Sequence, residues 1–131
     1  MYKNRKVKNA TITYYNGIKF RSKLEAECAK TLDEEGVKYE YESFTIEFLP
    51  TFQYDGKTYR AWTYTPDFVV GNNIILEIKG FPNDCWPIKK KMILKYIVDH
   101  NYSYEFYEIK NVTQLRKFIE EYKQRESCKE N

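Results

Sequence analysis

Residues 66–80 read PDFVVGNNIILEIKG, two short apolar runs separated by a Gly-Asn-Asn segment. Turn-forming residues between two β-branched runs predict an antiparallel hairpin with strands over 67–71 and 74–79. The second run begins with three large apolar residues, which favours a central strand of the sheet. Pro66 has no amide hydrogen to donate to a sheet ladder, so it marks the start of the first strand.

Charged side chains follow in the second strand of this hairpin. Alternation along a strand puts Glu77 and Lys79 on one face, about 7 Å apart, and the apolar residues beside them on the other. A surface ion pair on a solvated sheet face is a common reason for such a pattern, but a central strand favours side chains that line a cleft. Asp67 lies at the start of the neighbouring strand, so we expect its carboxylate to face that of Glu77.

The rest of the chain predicts further strands and three helices. An Asn-Gly turn is a strong hairpin signal within residues 11–20, and Ser22 with Glu25 forms the capping box of a helix that stops at Gly36. The other predicted elements are strands over 37–42, 44–48, 58–64 and 103–109 and helices over 87–98 and 113–125. Their order predicts an α/β fold of the α+β kind, with a central mixed β-sheet flanked by helices.

Glu25 lies on the face of the first helix that should be buried. Helical positions advance by about 100° per residue, which puts Glu25 within the apolar arc formed by Leu24, Cys28, Leu32 and Ala29. A buried carboxylate without a partner is destabilising, so Glu25 should pair with a cation or bind a metal. The alternative is that Glu25 only closes the capping box back to Ser22.

The 131 residues, 42% apolar and 31% charged, predict one folded domain over 11–126, with a basic N-terminal arm at 1–10 and a C-terminal tail at 127–131. The chain shows no apolar run long enough to span a membrane and no signal peptide, so we expect a cytoplasmic protein. Three unevenly spaced cysteines and one histidine argue against a disulfide framework, a structural zinc site and a histidine-based triad.

Positive charge is concentrated near the N-terminus. Residues 1–24 contain seven Lys and Arg and no Asp or Glu. Such a segment can neutralise phosphates and release counterions, which favours a polyanionic partner, although a solvated terminus can have the same composition. The residues considered for DNA contact are Lys3, Arg5, Lys6, Lys8, Arg21, Arg60, Lys89, Lys90 and Lys91.

Three segments of the chain resemble the PD-(D/E)xK nuclease superfamily. They read GIKFRSKLE at 17–25, YRAWTYTPDF at 59–68 and ILEIKG at 75–80. The resemblance covers roughly residues 14–110 and is to small phage-encoded endonucleases, including Holliday-junction resolvases. The same segments look like the nuclease domain of the strand-cutting subunit of certain bacterial transposases.

The resemblance implies a restriction-endonuclease-like core, one or two Mg²⁺ or Mn²⁺ ions per site and a homodimer. Asp67 and Glu77 would be metal ligands, with the carbonyl of Ile78 as a third. Lys79 would be the catalytic lysine and Glu25 a further acidic ligand, direct or through water. These residue types suit phosphodiester hydrolysis, because hard carboxylate oxygens bind Mg²⁺ and a nearby lysine can orient water or stabilise charge on the phosphate.

The sequence therefore predicts a metal-dependent endonuclease that cuts DNA at branched structures such as four-way junctions, in phage or bacterial DNA processing. If it is phage-encoded, it would act in the host cytoplasm. One small domain without a separate reader of base sequence favours recognition of DNA shape. The alternatives are a restriction- or transposase-type subunit that needs a targeting partner, and a non-catalytic DNA-binding module whose acidic residues only form ion pairs.

Overall fold

A computed structural model describes residues 11–129, in which a four-stranded mixed sheet lies between helices. The three helices are α1 (Lys23–Glu34), α2 (Trp86–Asp99) and α3 (Val112–Lys129). The strands are β1 (Thr13–Tyr15), β2 (Ile18–Phe20), β3 (Tyr39–Tyr41), β4 (Ile46–Leu49), β5 (Phe52–Tyr54), β6 (Lys57–Tyr59), β7 (Trp62–Tyr64), β8 (Phe68–Val70), β9 (Ile74–Ile78) and β10 (Glu105–Ile109).

The main sheet has the strand order β10-β9-β8-β3. β8 and β9 form the predicted antiparallel hairpin, with Phe68 opposite Leu76 and Val70 opposite Ile74. β10 pairs with the other side of β9 in parallel, which requires the crossover that α2 supplies. β9 therefore has a neighbour on each side and all five of its residues are buried. This confirms both the central position of the strand and the mixed sheet.

The two faces of the sheet pack against different helices. On one face, Phe68, Leu76 and Ile78 join buried residues of α1 and α3 in the larger hydrophobic cluster. On the other face, α2 packs with the β4–β7 pair through a cluster that contains Tyr64 and Trp86. Alternate residues of β9 point to opposite faces, so Glu77 lies on the side of α2, as the alternation predicts.

The N-terminal part follows the predicted boundaries closely. β1 and β2 form a hairpin around the Asn-Gly turn, and α1 begins after Ser22, whose hydroxyl accepts a hydrogen bond from the Glu25 amide. The helix ends before Gly36, which has a φ of +70°. A positive φ is favourable for glycine because it has no Cβ, so Gly36 can terminate the helix in the way expected.

The predicted bounds of two elements, one strand and one helix, are wrong. The strand predicted over 58–64 is two strands, β6 and β7, and β5 was not expected at all. The ladder breaks because the Ala61 amide donates to the Thr51 hydroxyl instead of a backbone carbonyl, next to a register shift in β4. α3 extends to Lys129 because no glycine or proline stops it, so residues 127–129 of the expected tail are helical.

Removing the Ser22 hydroxyl is expected to destabilise the fold. Ser22→Ala leaves the Glu25 amide at the start of α1 without its side-chain acceptor, and such a loss costs about 1 kcal/mol in the free energy of unfolding. Urea denaturation measures the change. Ser43→Ala, at an exposed position between β3 and β4, is the control and should stay within about 0.5 kcal/mol of the parent. Equal stability of the two variants would contradict the capping role.

Candidate active site

The end of β9 meets the start of β8, because the two strands are antiparallel neighbours. Asp67 directly precedes β8 and, by extension of the register, lies opposite Glu77. The Ile78 amide donates a hydrogen bond of 2.8 Å to Asp67 Oδ2, which fixes one oxygen of that carboxylate. The hairpin thus brings two carboxylates to the same edge of the sheet, as predicted.

Glu77 is the most constrained of the charged side chains, with only 4% of its surface exposed. The Tyr64 hydroxyl donates a 2.6 Å hydrogen bond to Glu77 Oε1, and Lys79 Nζ lies 3.3 Å from Oε2. Lys79 also lies over the ring of Trp86, 4.7 Å from its centroid, a distance at which an ammonium is attracted to the ring face. Each oxygen of this buried carboxylate therefore has a partner.

The carboxylates at this edge repel one another. Burial raises the pKa of Asp67 well above its ordinary value, and the negative charges of Glu77 and Glu25 raise it further. The hydrogen bond from the Ile78 amide and the charge of Lys79 oppose this rise. Repulsion between neighbouring acids is relieved when a cation binds between them, so the electrostatics at Asp67 favour such a ligand.

Glu25 approaches the same edge from the first turn of α1 and is buried. Its carboxylate accepts hydrogen bonds from the Tyr41 hydroxyl at 2.9 Å and the Ser22 hydroxyl at 3.0 Å. Burial raises the pKa of Glu25, whereas these two hydrogen bonds lower it. Glu25 is therefore bound to the cap residue through the Ser22 hydroxyl, and it also lies near enough to Asp67 for their charges to interact.

A cleft of about 400 Å³ opens between the start of α1 and the end of β9. Arg21, Glu25, Ile78 and Lys79 are among the residues that line it. Gly80 permits the close approach of strand and helix here, since a Cβ at this position would lie 3.1 Å from a methyl carbon of Leu24. The cleft gives a ligand from solvent access to Lys79 and Glu25.

The basic residues predicted from the sequence occupy different environments. Lys89 is half-buried and lies over the Tyr64 ring at 5.5 Å. Burial lowers its pKa, and the charge of Glu77 opposes this effect. Lys90 is paired with Glu108 at 2.9 Å, and Arg21 with Glu42. Lys91 and Arg60 are exposed. Lys3, Arg5, Lys6 and Lys8 lie outside the described residues.

The donor atoms at the sheet edge fit a hard divalent cation. Mg²⁺ usually takes one or two protein carboxylates and completes its shell with water and substrate phosphates, which Asp67 and Glu77 can provide. Within residues 11–129, no group of three acidic, histidine or cysteine side chains is arranged to hold a metal ion. Glu25 is held by Ser22 and Tyr41 instead.

Sequence reasoning missed Tyr64, Trp86 and Tyr41, which hold the charged side chains in place. With 13 tyrosines in the chain, composition does not distinguish a tyrosine that binds a carboxylate from one that fills the core. A usable signal was Tyr64 itself, which lies just before Pro66 on the strand leading to Asp67. A polar aromatic residue at this position can reach the Glu77 carboxylate.

A family model described as phage endonuclease I matches residues 7–115, most of the chain. Endonuclease I of Escherichia phage T7 is 39% identical over 62 residues, which are 47% of this chain and 36% of that protein. Endodeoxyribonuclease 1 of Enterobacteria phage T3 is 37% identical over 65 residues, 49% of this chain and 38% of that protein. No solved structure matches.

The extent of the family match shows that the chain belongs to the phage endonuclease I family. The segment shared with the two phage proteins spans little more than a third of their length. Within residues 11–129, none of the helices is long and apolar enough to cross a membrane.

The raised pKa of Asp67 predicts that Asp67→Asn stabilises the fold at neutral pH. The folded state binds the Asp67 proton more tightly than the unfolded chain, so wild-type stability falls as the pH rises from 3.8, the ordinary value, through the raised pKa. Each unit by which folding raises the pKa corresponds to about 1.4 kcal/mol in the free energy of unfolding. Asparagine carries no charge and can still accept from the Ile78 amide.

Urea denaturation in the presence of a chelator, at pH 7 and at pH 4, measures this effect. The variant should exceed wild type in free energy of unfolding at pH 7, and the difference should shrink at pH 4. Asp55→Asn, at an exposed turn, should change stability by less than about 0.5 kcal/mol. A variant that is less stable than wild type at pH 7 would contradict the burial and repulsion assigned to Asp67.

Proposed function

We propose that this member of the phage endonuclease I family is a metal-dependent endonuclease that hydrolyses phosphodiester bonds in DNA, with a preference for branched DNA such as four-way junctions. The observation that carries the proposal is the buried Glu77, which lies opposite Asp67 and is paired with Lys79, a residue that lines the cleft. The names of the two phage relatives, an endonuclease and an endodeoxyribonuclease, support the same reaction class.

Asp67 and Glu77 would hold Mg²⁺ or Mn²⁺, with the carbonyl of Ile78 as a further oxygen ligand. When bound, one or two such ions would polarise the phosphate and acidify a water molecule. Tyr64 donates to Glu77 and so fixes the direction of the carboxylate. This positioning lowers the cost of reorganising the site during reaction.

Lys79 is the residue proposed to act on the reacting atoms. Lys79 lines the cleft and 30% of its side chain is exposed, and its ammonium contacts the Glu77 carboxylate and the Trp86 ring. From there it can orient the attacking water or stabilise the negative charge that develops on the phosphate. Glu25, in the same cleft, would be a further acidic ligand, direct or through water.

DNA would be held by cations around the cleft and by the basic N-terminal arm. Lys89 is the described lysine with the clearest position for this, since it packs over Tyr64 and interacts electrostatically with Glu77 and Asp67. We propose a homodimer because two cuts on opposed strands of a junction need two centres, and a two-fold pair supplies them. A targeting partner of the restriction or transposase kind is the alternative within the enzyme class.

A non-catalytic DNA-binding module is the second candidate function. The ion pair between Lys79 and Glu77 is the observation in its favour, because a buried pair of this kind can be purely structural. The raised pKa of Asp67 supports the enzyme, since a module that only binds DNA has no use for a repelled carboxylate. Measured binding of Mn²⁺ to the protein without DNA would favour the enzyme.

Asp67→Asn and Glu77→Gln are expected to abolish cleavage while leaving DNA binding largely intact. Each removes a metal-ligand charge, whereas phosphate contacts come from lysines and arginines elsewhere. Lys79→Ala should lower the cleavage rate by about two orders of magnitude or more. The assay uses Mg²⁺ with matched four-way, flap, duplex and single-stranded DNA, and binding is followed separately with a chelator present.

The control for these variants is Glu120→Gln, an exposed acid on α3, which should cut at the wild-type rate. Wild-type cleavage by either Asp67→Asn or Glu77→Gln would refute the site. Cleavage of duplex and junction at equal rates would refute the preference for branched DNA but not the endonuclease.

Lys89→Ala is expected to weaken DNA binding by removing one phosphate contact. The slope of log affinity against log salt concentration should then fall by about 1. Lys117→Ala is the control, because Lys117 is exposed on α3 and α3 packs on the opposite face of the sheet. An unchanged slope for Lys89→Ala would show that Lys89 serves only the packing of α2.

A further inference from the structure

A two-stranded β-ribbon has its base at the candidate active site. It consists of residues 46–64, in which β4 pairs with β7 and β5 pairs with β6. At its base Ile46 pairs with Tyr64, the residue that donates to Glu77. From Tyr64 to the turn at Gly56 the ribbon extends at most about 26 Å, given the rise of a strand. Its base is therefore part of the site, and its tip is separated from Tyr64 by eight positions along the chain.

The outer ribbon, residues 51–60, is exposed along its whole length. Cross-strand partners share a face of a ribbon, so Phe52 with Tyr59 and Tyr54 with Lys57 lie on one face. Gln53 and Thr58 form the other. The outer ribbon thus has an aromatic face and a polar face, although neither is buried against the core.

The aromatic face is arranged for a flat ligand. The rings of Phe52 and Tyr59 are stacked with centroids 5.1 Å apart and an interplanar angle of 11°. Tyr54 is next to them toward the tip, with 71% of its surface exposed. Lys57, the cross-strand partner of Tyr54, lies on the same face. Aromatic rings with interspersed cations are the combination that binds unstacked nucleic-acid bases and their phosphates.

The size of this face argues against a second copy of the chain as its occupant. Phe52, Tyr54 and Tyr59 are 43%, 71% and 44% exposed, which for rings of this size leaves about 240–400 Å² to bury. A stable protein interface buries about 800 Å² per partner and depletes lysine at its core. The face is too small for that, and Lys57 lies within it.

We propose that the outer ribbon binds unpaired or splayed bases beside a DNA branch point, with Tyr54 as the principal stacking residue. The inference rests on the proposed nuclease function, because Tyr64 at the base of the ribbon contacts Glu77, so DNA bound at the proposed site would lie beside the ribbon. A two-stranded ribbon also fits the major groove of a flanking duplex. Stacking on a branch would let a domain with no base-reading module select DNA by its structure.

The test compares Tyr54→Ala with Gln53→Ala and Thr58→Ala, which alter the opposite face of the same ribbon. Affinities of the full chain are measured in a chelator for a four-way junction carrying 2-aminopurine at the branch and for a linear duplex of the same sequence. Tyr54→Ala should weaken junction binding by about fivefold or more, the lower end for one lost base stack. Duplex binding should change less than twofold.

Two further readouts belong to the same experiment. Wild-type protein should quench 2-aminopurine at the branch and Tyr54→Ala should quench it less. With Mg²⁺, Tyr54→Ala should raise KM for the junction and leave kcat unchanged, because Tyr54 does not touch the reacting atoms. Circular dichroism should match wild type, since Tyr54 is exposed.

Three results would overturn the inference. The first is a junction affinity of Tyr54→Ala equal to the junction affinities of the two controls. The second is a Tyr54→Ala variant whose binding to the junction and to the duplex is weakened equally. The third is a wild-type dimer in sedimentation that Tyr54→Ala converts to monomer, which would assign the face to a second copy. If the wild-type protein binds and cuts junctions and Tyr54→Ala does so equally well, only the inference about the ribbon is refuted. A wild-type protein that cuts no DNA refutes the proposed function itself.

Discussion

The burial of Glu77 on the central strand is the constraint around which the site is organised. A carboxylate with 4% of its surface exposed is tolerated only when both of its oxygens are satisfied. Tyr64 and Lys79 do this, and each is then held by a neighbour on α2, Lys89 over the tyrosine and Trp86 beneath the lysine. The position of α2 against the sheet is thus tied to the charge in the strand.

The charge of Glu77 also affects Asp67. The hydrogen bond from Ile78 keeps this carboxylate beside Glu77, although burial and repulsion favour its protonated form. A fold selected for stability alone would place a neutral residue there. A ligand of opposite charge removes the conflict, which is why local instability and proposed chemistry coincide at this edge of the sheet.

Much of the fold could be predicted from residues 66–80, because alternation and turn residues report local geometry directly. The hairpin, the central strand and the common face of Glu77 and Lys79 all followed from period-two alternation, and the start of α1 from the Ser22 cap. The division of 58–64 into two strands could not be predicted, because it depends on a hydrogen bond between the Thr51 hydroxyl and the Ala61 amide. The roles of Tyr64 and Trp86 likewise depend on tertiary contacts between distant segments, which no local pattern encodes.

The exposed outer ribbon separates two properties that often depend on the same residues in small enzymes, the choice of substrate and the chemistry of hydrolysis. Its residues pair with each other across a tight turn, while the acids and Lys79 stand on the main sheet and α1. Segments of this kind accept insertions and substitutions with little cost to the core. Mutation could therefore lengthen, shorten or resurface the ribbon and so change which DNA shapes are engaged, while the hydrolytic centre stays as it is. Diversification within such a lineage would be fastest where the chain is least needed for folding.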